Sequence, residues 1–140
     1  MITVVLDTNV VISGTYWDGE SFKILRLLDE GKIACIASIE ILKEYHRGLE
    51  NPDILEKVDE YQVARRAGSI KLFQKMVILE PRIEIRRSRD PDDNKFIEAA
   101  IEGKAHYIVS KDNDLLEIEE YDGIPILSPQ KFLQKTKGVL

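Results

Sequence analysis

The chain alternates short runs of β-branched and apolar residues with longer segments in which apolar residues recur at helical spacing. This alternation is typical of a parallel sheet with helices on both faces, because parallel strands need long crossover connections. The predicted strands are ITVVL at 2–6, KIACIA at 32–37, KMVILE at 75–80 as a short edge strand, HYIVS at 106–110 and IPIL at 124–127. The expected fold class is therefore α/β, a three-layer α/β/α sandwich around a parallel β-sheet.

Five segments are predicted to be helical from their apolar spacing and their end signals. They are 21–30, ending at Gly31; 38–49, capped by Ser38 and ended by Asn51-Pro52; 53–75, interrupted near Gly68; 91–103; and 130–135. With 140 residues, of which 44% are hydrophobic, the chain is long enough to bury a core. Residues 1–140 are expected to form a single domain.

Two features of the composition narrow the class of protein. No apolar stretch approaches the roughly 20 residues that span a bilayer, and MITVVLD follows no basic and apolar leader, so we expect a soluble, cytoplasmic protein without membrane contact. Cys35 is the only cysteine. It excludes an internal disulfide and a multi-cysteine metal site, and its apolar neighbours predict a buried thiol.

The charge is unevenly distributed along the chain. The net charge is −5, which argues against a nucleic-acid partner, yet residues 65–95 hold 9 Lys and Arg against 5 Asp and Glu. This basic middle segment predicts either a local phosphate-binding surface or an ordinary solvated face.

Four acidic residues from separate segments are predicted to meet at one edge of the sheet. Asp7 follows the first strand and Asp112 follows HYIVS, and ligands of open parallel sheets bind at these carboxyl ends. Asp93 lies on the core side of its helix, and Glu44 lies at the rim of the buried face of its helix. The spacing places no cationic side chain among the four.

Converging carboxylates either take up protons or bind a hard cation, and Mg²⁺ prefers such oxygen ligands. Local structural roles are the alternative. Asp93 is equally well explained as a capping-box acid and Asp112 as the cap of a short helix, and Glu44 taken alone is better explained as a helix surface residue. Thr8 and Asn9 either cap the turn after Asp7 or orient Asp7 or a metal-bound water.

Four motifs, in this order and at this spacing, resemble the PIN domain family. They are DTNVVIS, SIEILKEY, DPDDNKFIEAAIEGKAHYIVSKDNDLL and IPILSPQKFL, and together they cover nearly the whole chain. The family consists of metal-dependent nucleases, and its small prokaryotic members are often the toxin of a VapC-type toxin–antitoxin pair. The resemblance implies the α/β/α fold, Mg²⁺ or Mn²⁺ as cofactor, RNA as substrate, frequent homodimerisation and a cognate antitoxin protein.

The resemblance also implies roles for individual residues. The acids of the family correspond to Asp7, Glu44, Asp93 and Asp112, with the first three holding the principal ion and Asp112 holding a second ion or a water. Asp114 replaces or assists Asp112. Where many relatives have Thr, this chain has Ser110, which keeps the hydroxyl.

Basic residues near the acidic motifs are candidates for holding the RNA backbone. Arg86, Arg87 and Arg89 come just before the third acid, and exposed charge without a ligand explains them equally well. Lys95, Lys104 and Lys111 flank the proposed acids and are the next candidates.

Two other classes of function fit an Asp after a first parallel strand. A phosphatase or receiver-like domain is one, although DTNVV lacks the second Asp that haloacid-dehalogenase phosphatases use as acid and base, and Lys111 is the available receiver-type lysine. A catalytically silent module with a PIN-like fold is the other, and the presence of all four acids argues against it.

Overall fold

The computed structural model describes all 140 residues, Met1–Leu140. A six-stranded sheet in the order β3-β2-β1-β4-β6-β5 lies at the centre, and the first five of these strands are parallel. The strands are β1 Ile2–Leu6, β2 Ile33–Ala37, β3 Val77–Ile78, β4 Tyr107–Val109, β5 Glu120–Tyr121 and β6 Ile124–Leu127. The predicted α/β fold with helices around a mostly parallel sheet is confirmed.

Nine α-helices flank the sheet. They are α1 Thr8–Tyr16, α2 Glu20–Asp29, α3 Ile39–Leu49, α4 Pro52–Leu55, α5 Glu60–Ala64, α6 Arg66–Phe73, α7 Asn94–Glu102, α8 Asn113–Leu116 and α9 Pro129–Thr136. A 3-10 turn at Pro91–Asp93 leads directly into α7. None of these helices has the length and apolar character that crossing a membrane requires.

Three features of the fold differ from the sequence prediction. The first is α1, which starts directly after β1 and was not predicted as a helix. The second is the break in segment 53–75, which lies between α4 and α5 and again at Arg65, whereas α6 runs through Gly68. The capping box of Asp59 and Gln62 starts a new helix at α5. The interruption predicted at Gly68 was wrong, because α6 continues through that residue.

The third difference is the antiparallel strand β5 at one edge of the sheet. Tyr121 pairs with Ile124, and the two residues between them have positive φ angles, 49° at Asp122 and 80° at Gly123. This is the backbone that a two-residue hairpin favours and Asp-Gly accepts. The strand has only two residues, too few for a period to be visible in the sequence.

The register of the sheet brings two loops together next to β1. Leu6 pairs with Val109, and the Asp7 amide donates to the Val109 carbonyl at 3.0 Å. The residues after β1 and after β4 therefore leave the sheet side by side, above a core of 33 buried apolar residues. Cys35 belongs to that core, and burial raises the pKa of its thiol to about 12, so the thiol stays protonated at neutral pH.

Candidate active site

Asp7 is the most deeply placed of the acids, and its two oxygens have different partners. Oδ1 accepts the Val10 amide at 3.0 Å and so caps α1, while Oδ2 accepts the Ser110 hydroxyl and the Lys111 amide, the latter at 3.1 Å. Burial raises the pKa of the Asp7 carboxyl, and the Ser110 hydrogen bond opposes that shift. Asp7 is thus both the N-cap of α1 and a residue of the acidic cavity, whereas the sequence had predicted the capping role only for Thr8 and Asn9.

Glu44 is held on both oxygens. The Thr8 hydroxyl donates to Oε2, and the Lys95 ammonium lies 2.7 Å from Oε1. Lys95 is only 7% exposed and also donates to the Asp92 carbonyl at 2.7 Å. The expectation that no cation lies among the acids was therefore wrong, because Lys95 reaches Glu44 from the first turn of α7.

Gly48 explains how α1 and α3 come close enough for the Thr8–Glu44 hydrogen bond. A Cβ atom at Gly48 would lie 2.7 Å from Ile12 Cδ1 and 3.0 Å from Thr8 Cγ2. Glycine at this position therefore lets α3 pack directly against the first two turns of α1. Glu44 is one turn before Gly48 on α3, so the close packing also sets the position of its carboxylate.

Asp93 and Asp112 complete the group. Asp93 is 8% exposed, and its Oδ2 is buried without a hydrogen-bond partner. Burial, and then the neighbouring Asp112, raise the pKa of Asp93 to about 8. Asp112 caps α8 by accepting the Asp114 amide at 2.9 Å, as predicted, and its own amide donates to Ser110 Oγ at 2.9 Å.

The four acids open into one cavity of about 300 Å³. Its lining residues are Asp7, Thr8, Asn9, Ile12, Glu44, Arg47, Gly48, Asn51, Asp93, Phe96 and Asp112. Sequence reasoning missed Arg47 and Asn51 as lining residues. Arg47 follows Glu44 by three residues on α3, a spacing that placed the two on one face, whereas Asn51 carried only the signal of a helix end. A larger cavity of about 500 Å³ lies nearby and contains Lys111, but it has no such convergence of carboxylates.

Asp114 and the arginines of the middle segment lie outside the 300 Å³ cavity. Arg89 pairs with Asp114 and with Glu117, each at 2.7 Å, and Arg86 pairs with Glu84 at 2.9 Å. Arg87 is exposed and takes part in no ion pair.

The two remaining lysine candidates are both exposed. Lys111 donates from its ammonium to Ser13 Oγ at 2.9 Å, and Lys104 lies in the turn after α7.

The donor set fits a divalent cation. Every acid that lines the cavity offers hard carboxylate oxygen, and the buried Asp93 Oδ2 has no protein partner to compensate for its lost hydration. A carboxylate in that position either keeps a proton or binds a cation. The raised pKa of Asp93 shows that, without a cation, its carboxyl group keeps the proton.

The sequence and fold of this chain are similar to those of known proteins. Residues 3–114 match the family model described as PIN domain. The uncharacterized protein MJ1680 of Methanocaldococcus jannaschii is 36% identical over 121 residues, which cover 85% of this chain and 76% of that protein. The crystal structure of PAE2754 from Pyrobaculum aerophilum has the same fold, with a TM-score of 0.63 at 14% identity over 97% of each chain.

Proposed function

The chain belongs to the PIN domain family, a nuclease superfamily, and from that premise we propose that it is a metal-dependent endoribonuclease. The observation that carries the proposal is the convergence of Asp7, Glu44, Asp93 and Asp112 on one cavity in which Asp93 Oδ2 lacks any protein partner. The reaction is hydrolysis of a phosphodiester bond.

Asp7, Glu44 and Asp93 hold the principal Mg²⁺ or Mn²⁺, and Asp112 holds a second ion or a water. A divalent ion bound there activates water and stabilises negative charge on the attacked phosphate. The protein residues supply rigidity around it. Ser110 and the Lys111 amide fix the orientation of the Asp7 carboxylate.

Glu44 is oriented in the same way by Thr8 and Lys95. Asn9 lines the cavity next to Thr8 and is a candidate for orienting a water. The loop after β4 and the start of α1 thus act together as a frame for the carboxylates, since Ser110, the completely buried first residue of that loop, donates to Asp7.

RNA is the proposed substrate, although the acidic net charge alone disfavours it. Arg47 lines the cavity itself, and Arg87 and Lys111 are exposed. Arg86 is available as well, because its pair with Glu84 lies on the surface, where such pairs contribute little. Arg89, which is paired with two acids, and the buried Lys95 reach a phosphate only by exchanging their present partners.

The proposal includes the biological setting that the family resemblance implies: the toxin component of a VapBC-type pair, a cognate antitoxin protein and a homodimer. A short edge strand with two exposed apolar residues, Val77 and Ile78, is one surface that such a partner protein could cover.

The test is cleavage of mixed RNA by the purified chain with Mn²⁺, with Mg²⁺ and with chelator. For Asp7→Asn we expect a loss of about a hundredfold or more, because an ion of this kind contributes several kcal/mol to the transition state and the variant removes one of the charges that hold it. The asparagine oxygen still caps α1, although its NH₂ group meets the Lys111 N–H. This contact costs stability, but removing a buried charge offsets the cost, so we expect the variant to remain folded.

Circular dichroism and melting of the variant separate a catalytic defect from a folding defect. The matched control is Asp92→Asn, which makes the same change on an exposed residue next to Asp93. A folded Asp7→Asn protein with the activity of the parent chain would rule out the assignment of the acid cavity.

A further inference from the structure

Lys111 connects the acid cavity with the larger cavity of about 500 Å³ beside it, here named the Lys111 cavity. The Lys111 amide donates to Asp7 Oδ2 at 3.1 Å, and the Lys111 ammonium donates at 2.9 Å to Ser13 Oγ on the wall of the larger cavity. The backbone of one residue therefore faces the acids, while its side chain faces the neighbouring space. A chain molecule that reacts at the acids has its next unit within reach of the Lys111 cavity.

The donors of the Lys111 cavity suit an anionic ligand. The ten-residue helix α2 begins at its wall, and its N-cap, Gly19, has no side chain to accept from the first-turn amides. Ser21 is an independent observation. It lines the cavity, is only 7% exposed, and its hydroxyl makes no hydrogen bond within the protein, although its oxygen is not fully enclosed. A hydroxyl so placed loses hydration without compensation unless a ligand in the cavity accepts from it.

Two acids also border the Lys111 cavity. Asp18 is paired with Arg65 at 3.1 Å, so its charge is partly compensated, and its side chain is largely exposed. Glu20 is exposed in the first turn of α2, where its carboxylate is attracted to the same positive helix end as an anionic ligand. Glu20 therefore competes with such a ligand, and removing its charge should strengthen binding.

An aromatic side chain completes the site of a nucleotide. Trp17 borders the Lys111 cavity and is 37% exposed, and its ring packs edge-on against Tyr16 with 6.2 Å between the ring centroids. Proteins bind single-stranded nucleic acid with this combination, in which cations and amides hold the backbone and a base stacks on an aromatic ring. The cavity offers both parts side by side.

From these contacts we propose that the Lys111 cavity binds one nucleotide of single-stranded RNA, adjacent to the nucleotide at the acids. Its phosphate is held by Lys111, Ser21 and the first-turn amides of α2, and its base stacks on Trp17. The inference rests on the proposed function and adds how the substrate strand is held. The bound nucleotide does not react, so the cavity holds the ground state and the transition state equally and affects KM more than kcat.

Trp17 is the only tryptophan of the chain, so its fluorescence reports directly on the Lys111 cavity. The experiment titrates the full chain with a single-stranded hexa-adenosine RNA, in chelator to prevent cleavage, and we expect saturable quenching. Ser21→Ala weakens binding at least about threefold and Lys111→Gln about tenfold, since each variant removes a phosphate donor. Glu20→Gln strengthens binding several-fold, because it removes the competing carboxylate.

Variants of the tryptophan test the stacking, with binding followed by the anisotropy of a labelled hexa-adenosine RNA. Trp17→Leu binds about tenfold more weakly, and Trp17→Phe, which keeps an aromatic face, recovers most of the loss. The matched controls are Tyr61→Leu, at an exposed aromatic residue outside the cavity, and Lys135→Gln, in the last turn of α9. Circular dichroism checks the fold of each variant. Equal effects in the cavity variants and the controls, or unchanged Trp17 fluorescence on addition of RNA, overturn the nucleotide site.

RNA cleavage with Mn²⁺ distinguishes this inference from the proposed function. In an active chain, Trp17→Leu raises KM about tenfold and changes kcat by about twofold or less, because the base it releases is remote from the reacting bond. Parent-like KM values for Trp17→Leu and Lys111→Gln overturn the nucleotide site and leave the nuclease proposal standing. A chain whose Trp17 is quenched by RNA, but which cleaves none with any divalent ion, supports the nucleotide site and overturns the nuclease proposal.

Discussion

Lys95 is the residue that changes the charge of the site most. Its ammonium is buried against Glu44, so one of the four cavity acids is already in an ion pair in the metal-free protein, where four unpaired acids were expected. The pair was invisible in the sequence because Glu44 and Lys95 are 51 positions apart, and the reach of two flexible side chains depends on how α3 packs on α7.

For Lys95→Met we expect a loss of about 1–3 kcal/mol in the unfolding free energy of the metal-free chain. Methionine retains the apolar stem but leaves Glu44 without its cation, and breaking a largely buried pair on one side costs more than the pair itself contributes. Urea unfolding measures the change. Lys131→Met, at an exposed position of α9, is the control and should differ from the parent by about 0.5 kcal/mol or less. Equal values for the two variants would contradict the importance of the buried pair.

Asp93 predicts a pH dependence of stability in the metal-free chain. Its pKa is about 8 in the folded protein and 3.8 as a free side chain, so between these values the folded chain binds more protons than the unfolded one. The unfolding free energy attributable to Asp93 is therefore highest at low pH and falls as the pH rises toward 8. Urea unfolding between pH 5 and pH 8.5, with chelator present, should show a falling contribution in the parent chain that is absent in Asp93→Asn. Parallel pH profiles for the two proteins would refute the shift.

At the scale of elements, the sequence predicted the strands that carry the site and missed the helix that orients it. The strands β1, β2, β4 and β6 lie within a residue or two of their predicted bounds, because buried parallel strands appear as compact β-branched runs. The helix α1 is buried on most of its surface, with Val10, Val11 and Ile12 all in the core, so no polar face marks a helical period.

The acids also show what the sequence predicts and what it misses. Asp7 and Asp112 were placed by a rule about strand ends, which depends only on the order of strands in the sheet. Asp90 had a complete local explanation as a cap, and its proximity to Asp114 depends on the path of the chain between β3 and α7. Local patterns predict which acids leave the sheet together, and they do not predict which side-chain oxygens meet.

The packing of α1 on α3 gives a prediction at the same scale. For Gly48→Ala we expect a loss of about 1–3 kcal/mol in unfolding free energy, because the new Cβ overlaps Ile12 and Thr8. The shift of α1 also withdraws the Thr8 hydroxyl from Glu44, so Mn²⁺ affinity should fall as well. Gly68→Ala in α6 is the matched control, since its Cβ meets no atom within 4 Å, and it should be neutral or stabilise by up to about 1 kcal/mol. A stable Gly48→Ala chain with full Mn²⁺ affinity would contradict the role of this close packing.

At the scale of the whole molecule, the question is how a chain of net charge −5 holds a polyanion. Replacing Arg86 and Arg87 with Gln should weaken RNA binding over all sequences and flatten its salt dependence, by roughly 0.7 in the log–log slope for each single-strand phosphate that the variant no longer binds. The measurement is a salt titration of binding in an Asp7→Asn background, where cleavage is suppressed. Arg89 is left in place because it is already paired with both Asp114 and Glu117.

The matched control for the arginine pair is Lys135→Gln with Lys137→Gln, the same change of charge at the C-terminal end of the chain. An equal effect of the two double variants would show that only the overall charge matters. An unchanged slope for Arg86 and Arg87 would assign the phosphates to Arg47, Lys111 and the metal ions.

The two oxygens of Asp7 have different roles, and this limits which residues can replace Asp7 during evolution. Oδ1 is needed to start α1 whether or not any reaction takes place, and only Oδ2 faces the Ser110 loop. A descendant that abandoned the chemistry would still be selected for an acceptor at position 7, so Asn, Ser or Thr would replace Asp there more readily than Ala or Leu. A polar residue at this position in a related chain is therefore weak evidence that the chain is active. An acid at position 93 is better evidence of activity, because the buried Oδ2 of Asp93 makes no hydrogen bond that supports the fold. Without an ion to bind, the acid at this position would be the first to be replaced.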